Sequence, residues 1–197
     1  TNSLAAMKIF AATLSQIVNG EINQLLSKQI SFTRENYYQR IEAKTASLFR
    51  TSTCTAAIIS ESDQKTINEM SNFGYNIGMA FQILDDILDL TGDQEKLGKP
   101  IGSDLRQGLI TLPTILFLEN YPDDEHSQWL INGNLLNSSE KIDTFIKKLQ
   151  EANTIKQSFH IAQEYVDKSI SYLVGYKKSP QHDALLDLAK YIVDRTI

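Results

Sequence analysis

Apolar side chains along this chain recur at intervals of three and four, the signature of helices with one buried stripe. The longest clear run is Ile155, Phe159, Ala162, Val166, Ile170 and Leu173, which predicts a helix over 154–177. The same pattern predicts a first helix over roughly 3–27, with Leu14, Ile17 or Val18, Ile22 and Leu25 turned inward. Further helices are expected at about 34–60, 63–91, 111–121, 139–151 and 181–196, with Pro113 in the first turn of the fourth of the chain's seven. "TGDQEKLGKPIGSDLRQG" (91–108) gathers four of the nine Gly and one of the four Pro and reads as a loop. "YPDDEH" and "INGN" read as turns. Alternating apolar and polar residues of a strand, internal repeats and linker-like tracts are all missing from the pattern. The expectation is an all-α protein forming one helical domain over 1–197.

One segment breaks the ordinary amphipathic rule. In "IGMAFQILDDILDL" (77–90) the polar side chains are Gln82, Asp85, Asp86 and Asp89. Their spacing of i, i+3, i+4 and i+7 makes a narrow stripe on one helix face. Met79, Phe81, Ile83, Leu84, Ile87, Leu88 and Leu90 surround it, and a helix apolar nearly all round is buried. Like charges at i, i+4 cost roughly 0.2–0.5 kcal/mol even on an exposed helix. The cost grows where carboxylates lose hydration, so a proton or a cation must compensate. Hard oxygen ligands without His or Cys suit Mg²⁺ sharing its shell with phosphate oxygens, and disfavour zinc. A solvated acidic face is the plain alternative, and the flanks are too apolar for it.

Bulk properties narrow the function less. The chain has 197 residues, 42% of them hydrophobic and 22% charged, as in ordinary globular proteins. A formal net charge of -5 argues against a nucleic-acid surface. Cys54, the single cysteine, excludes an internal disulfide and suits a reducing, cytoplasmic setting. It reads as a small buried residue rather than a reactive thiol. No apolar run spans a bilayer and no signal peptide opens the chain. The first residue is Thr1 and "TNSLAAMKIF" leads straight into a helix, so the chain is expected to be the remainder of a longer protein. His126, His160 and His182 have no ligand spacing, and Trp129, Tyr165 and Tyr172 read as core or interface residues.

The combined blocks carry a resemblance. "FQILDDILDLTGDQEKLGKPIGSDLRQGLITLP" is similar to the second aspartate-rich region of the trans-isoprenyl diphosphate synthases, and "YYQRIEAKTASLF" (37–49) resembles that family's Lys-Thr helix. Order and separation fit over residues 37–113, and the general likeness is greatest to the catalytic component II of bacterial heptaprenyl diphosphate synthases. The resemblance implies the isoprenoid-synthase helical fold around a central cavity, with the N-terminal helices absent here. It implies that Asp85, Asp86 and Asp89 hold Mg²⁺ against an allylic diphosphate. Gln82, one turn earlier, Phe81 beside it, Lys44, Thr45 and Lys99 match substrate-binding positions, the lysines and Thr45 toward the diphosphate. "GEINQ" (20–24) resembles a polar block facing the cleft, which adds Glu21 and Gln24, although an exposed polar face explains these two almost as well. Asp104 matches an acidic loop position.

The activity implied is head-to-tail transfer of an allylic group, farnesyl diphosphate being its expected donor, onto isopentenyl diphosphate. The product would be a long all-trans chain, heptaprenyl, for the menaquinone side chain. A dimer, or a heterodimer with a small regulatory subunit, is implied, with peripheral membrane contact for product release. Two departures stand out. Leu109 follows Gly108 where many members carry Lys, and the family's first DDxxD motif has no counterpart here. The chain alone is therefore expected to be inactive. Two other readings are a non-catalytic subunit and a terpene cyclase. The acidic stripe argues against the first, and the Lys-Thr helix and Gly-Lys-Pro loop against the second.

Overall fold

The computed structural model describes residues 2–26, 32–92, 100–133, 135 and 138–194, excepting the side chains of 23–26. All regular structure among them is helical: α1 (Leu4–Leu26), α2 (Arg34–Ile41), a π-helical turn (Glu42–Ala46), α3 (Ser47–Ile59), α4 (Gln64–Thr91), α5 (Ser103–Arg106), α6 (Leu112–Asn120), α7 (Glu125–Ile131), α8 (Ser139–Glu151), α9 (Thr154–Ser171) and α10 (Pro180–Asp194). The chain forms two compact units, Thr1–Lys28 with Tyr38–Gln82 and Ala162–Ile197, and Gln29–Tyr37 with Ile83–Ile161.

In the first unit α1 packs on α3 through small residues. The Thr13 and Thr51 hydroxyls lie 2.6 Å apart, both residues buried. Ala6 is buried and Ile17 half-buried, while Leu14, Val18 and Ile22 are 45%, 54% and 45% exposed. The inward face expected for α1 is thus corrected at Leu14, Val18 and Ile22; Leu25 lies outside the described side chains. The reason is steric: small side chains let α1 approach α3 closely, and a periodicity reading that counts only large apolar residues selects the opposite face.

The α3–α4 pair is held closer still. A Cβ built on Gly74 would lie 2.5 Å from the Phe49 carbonyl oxygen, and one on Gly78 2.6 Å from Ala46 Cα. The lack of a side chain is what these positions require. The Thr53 hydroxyl donates to the Met70 carbonyl at 2.6 Å across the same seam. Asp63 caps α4, accepting from the Thr66 amide at 2.7 Å. Behind the seam Phe73, Ile77, Met79 and Ala80 are at most 1% exposed.

In the second unit α8 buries Ile142, Phe145, Ile146 and Leu149, a one-face pattern. Phe145 packs edge-on against Phe117 of α6, ring centroids 5.3 Å apart. Every residue of α6 from Leu112 to Leu118 is buried, with Pro113 in the first turn as expected. Gly102 adopts φ 69°, left-handed backbone that favours glycine, and a Cβ there would meet Ile146 Cδ1 at 2.3 Å.

Three helix boundaries differ from the sequence reading. The 91–108 loop contains the short α5, α7 stands between the two turns expected around 121–134, and α9 ends at Ser171 rather than 177. After Ser171 the chain tightens into i→i−3 bonds, Tyr172 to Ser169 and Leu173 to Ile170. The helix expected over 34–60 runs without a gap as α2, the π turn and α3.

The α3–α4 seam gives a direct expectation. Gly78→Ala forces backbone apart at Ala46 and should cost about 1–3 kcal/mol, measured by urea unfolding. An unchanged midpoint would mean that the two helices can separate without loss.

Candidate active site

The sequence-predicted residues fall in both units, and each group is built separately. In the first, the π turn presents Lys44 and Thr45. A π turn adds one residue to a helical turn, so the side chains after it are re-aimed; such turns recur at functional sites. The Thr45 hydroxyl donates to Gln82 Oε1 at 2.7 Å. Lys44 Nζ lies 3.1 Å from Glu21 Oε1, with side chains 51% and 41% exposed. Gly20, next to Glu21, sits against Ala43, where a Cβ would come within 3.2 Å. Small residues therefore bring α1 onto the π turn and set the Glu21–Lys44 pair. Phe81 is half-buried and packs on Phe49, ring centroids 5.3 Å apart.

In the second unit the end of α4 carries the acids. Ile83, Leu84, Ile87 and Leu90 are at most 4% exposed, as expected for a helix apolar nearly all round. Asp86 and Asp89 are buried with them, at 4% and 2%, whereas Asp85 is exposed. The Tyr37 hydroxyl donates to Asp86 Oδ2 at 2.7 Å. The Asp104 amide, in the first turn of α5, donates to Asp89 Oδ2 at 3.1 Å. The Gly102 amide donates to the Asp89 carbonyl at 2.7 Å, which ties the α5 loop to the end of α4. The Gln150 side-chain amide donates to the Leu90 carbonyl at 2.7 Å, so α8 closes this terminus as well.

The structure thus brings together Lys44 with Glu21, Thr45 with Gln82, Asp86 with Tyr37, and Asp89 with Asp104. Lys99 lies outside the described residues, as does the Gln24 side chain. Sequence reading passed over Tyr37, although it stands in the quoted Lys-Thr block; only a cross-helix distance could single it out. Asp104, matched in sequence as an acidic loop position, makes its bond to Asp89 through the main-chain N–H.

The donor set of the α4 stripe is Asp85, Asp86 and Asp89. Its side chains are carboxylates, the hard oxygen donors that Mg²⁺ or Ca²⁺ prefers. Among the described residues no three His, Cys, Asp or Glu side chains are grouped so as to hold a metal ion by themselves. A hard divalent cation held by these carboxylates would complete its shell with water and ligand oxygens.

Residues 1–150 match the family model for polyprenyl synthetase. The chain belongs to the polyprenyl synthetase family. It is 34% identical over 195 residues to component 2 of the heptaprenyl diphosphate synthase of Bacillus subtilis (strain 168), covering 98% of this chain and 55% of that protein. The crystal structure of heptaprenyl diphosphate synthase from Staphylococcus aureus superposes with a TM-score of 0.88 and 30% identity, over 100% of this chain and 62% of that one. A polyprenyl synthase from Caulobacter crescentus, crystallised with calcium and isoprenyl diphosphate, gives 0.88 at 28% identity, over 100% and 60%. Other similar relatives are named solanesyl, decaprenyl and geranylgeranyl diphosphate synthases. This family member is all-α with the isoprenoid-synthase helical fold, and it spans little more than half the length of the first curated relative.

The Glu21–Lys44 pair is about half exposed, and such pairs contribute less than about 1 kcal/mol. Glu21→Gln should therefore leave the thermal midpoint nearly unchanged; a large drop would make the pair a structural clamp rather than a site feature.

Proposed function

We propose that the protein to which this chain belongs is a Mg²⁺-dependent trans-polyprenyl diphosphate synthase, acting on isopentenyl diphosphate and an allylic diphosphate such as farnesyl diphosphate. The observation that carries the reading is the acidic stripe of α4. Two of its carboxylates are buried and held by internal donors, and the third, Asp85, is exposed. A stripe that served only packing would have no reason to retain carboxylates in an apolar segment, where each costs several kcal/mol of desolvation.

In this reading Asp85 is the principal ligand, with Asp86 and Asp89 orienting and charging the site. When bound, the divalent ion supplies neutralisation of the departing diphosphate. Lys44 gives a second positive charge for the diphosphate, and Lys99 a third. The Thr45 hydroxyl, whose one proton goes to Gln82 Oε1, orients the Gln82 amide, and the N–H groups of that amide are donors for a phosphate oxygen. Fixed donors of this kind stabilise charge as it develops and need no rearrangement during reaction. The allylic C–O bond breaks, the double bond of isopentenyl diphosphate forms the new C–C bond, and the proton lost goes to the released diphosphate. Phe81 and the apolar neighbours of the stripe keep water from the allylic cation.

Heptaprenyl length, and with it the menaquinone side chain, is supported by the likeness to component 2 of the Bacillus subtilis enzyme. That component number also supports a second, smaller subunit as partner. A cytoplasmic site with peripheral membrane contact is part of the proposal, since a long prenyl product needs an apolar acceptor; no described helix is long and apolar enough to cross a membrane.

The test is Mg²⁺-dependent incorporation of labelled isopentenyl diphosphate into farnesyl diphosphate by the full-length reading frame that encodes this chain, with product length read by chromatography. Incorporation is expected. Its failure in a folded sample, alone and with a candidate small subunit, would favour a non-catalytic role. Asp85→Ala should abolish the metal-dependent turnover while leaving the helical circular dichroism intact; wild-type turnover would remove Asp85 from the metal site. Lys44→Ala deletes a charge-assisted contact and should raise the KM for a diphosphate substrate roughly 10- to 100-fold. An unchanged KM would return Lys44 to the solvent-facing surface.

A further inference from the structure

Tyr37 has no role in the mechanism above, yet it is among the largest fully buried side chains, 2% exposed. A buried tyrosine hydroxyl must find an acceptor, and a backbone carbonyl would serve. Here the acceptor is instead a side chain of the acidic stripe, Asp86 Oδ2, at 2.7 Å and 49 residues away in sequence. Asp86 is itself 4% exposed. An O–H donor facing a carboxylate in a dry setting makes a short, strong bond. It occupies one of the roughly four acceptor positions of the carboxylate and so fixes where the others point. Asp89 is held differently, by the Asp104 main-chain amide at 3.1 Å. That second bond survives any substitution other than proline, whereas the first depends on one phenol oxygen.

We propose that Tyr37 is a positioning residue of the acidic site: acting through Asp86, it sets the geometry with which the stripe takes a divalent cation together with diphosphate. The inference rests on the function proposed above. A tyrosine that merely fills the core would matter for stability and not for the cation. A residue that orients a metal-site carboxylate typically changes metal affinity or activity 10- to 100-fold when lost.

The experiment compares the full-length protein with Tyr37→Phe, Asp86→Asn and the double variant. Three quantities are read: the Mg²⁺ concentration for half-maximal turnover, the binding of Mn²⁺ in the presence of inorganic pyrophosphate by calorimetry, and the melting temperature. Tyr37→Phe should raise the Mg²⁺ half-saturation and weaken Mn²⁺–pyrophosphate binding by about 10-fold or more, with a smaller change in the KM for the allylic substrate at saturating metal. In the Asp86→Asn background the same change should have little further effect, since the two residues act as one unit. A folded Tyr37→Phe protein with wild-type metal affinity would overturn the proposal, as would a full additional loss in the Asp86→Asn background. If Tyr37→Phe does not fold, 3-fluorotyrosine at position 37 replaces it, keeping the ring and hydroxyl while making the phenol more acidic. The Mg²⁺ half-saturation should then shift, and a constant value would overturn the proposal. Wild-type protein that binds no Mn²⁺ with pyrophosphate would instead bring down the proposed function itself, so the two failures are distinguishable.

Discussion

Placing Asp86 and Asp89 inside the apolar end of α4 is the constraint to which the surrounding structure answers. A carboxylate removed from water loses several kcal/mol of hydration, and polar neighbours must return part of it. Each acid has been given a donor from a different place in the chain, Tyr37 in α2 for one and the Asp104 amide in α5 for the other. The short α5 helix makes sense in this light. Four residues long, it has no intrinsic stability, but its first turn points an amide at Asp89 while Gly102 binds the Asp89 carbonyl and lies against Ile146. Gly102 alone permits this, because its left-handed backbone and missing Cβ are both required.

The Lys-Thr half depends on a different economy, that of closeness. Gly74 and Gly78 let α4 lie against α3 with no side chain between, and Gly20 does the same for α1 against Ala43. Each of these contacts falls within a turn of Lys44 and Thr45 or on the helix facing them. The Thr45–Gln82 bond at 2.7 Å exists because the backbones that carry it are this near. The π turn adds the last adjustment, a register change without a break in the helix.

The acidic stripe was legible because four polar residues in an apolar run leave one reading of face and depth. The burial of Asp86 and Asp89 followed the pattern, whereas Asp85 is exposed. What escaped was set by partners distant in sequence. The inward face of α1 is written in Ala6 and Thr13, whose small size counts for little in a hydropathy pattern but decides how closely α3 can approach. α5 and α7 are too short to carry a period, and α7 is fixed by its Asp124 cap, which accepts from the His126 amide. Tyr37 was visible as a letter in a family block, but its bond to Asp86 spans 49 residues and has no local signal.

The contrast between Asp85 and its two neighbours carries the functional argument furthest. If the stripe were held only by internal hydrogen bonds, evolution could replace each acid with an apolar residue of similar size at little cost or with gain, as buried polar pairs generally allow. The internal bonds explain how Asp86 and Asp89 are tolerated, not why they are there. Under the proposed function Asp85, one residue before Asp86 and exposed, supplies the reason: a carboxylate that is to meet a cation works best when the helix face beneath it is rigid and already negative. On that view the buried acids are the support of the exposed one, and the donors that hold them, Tyr37 and the α5 amide, belong to the site as much as the carboxylates do.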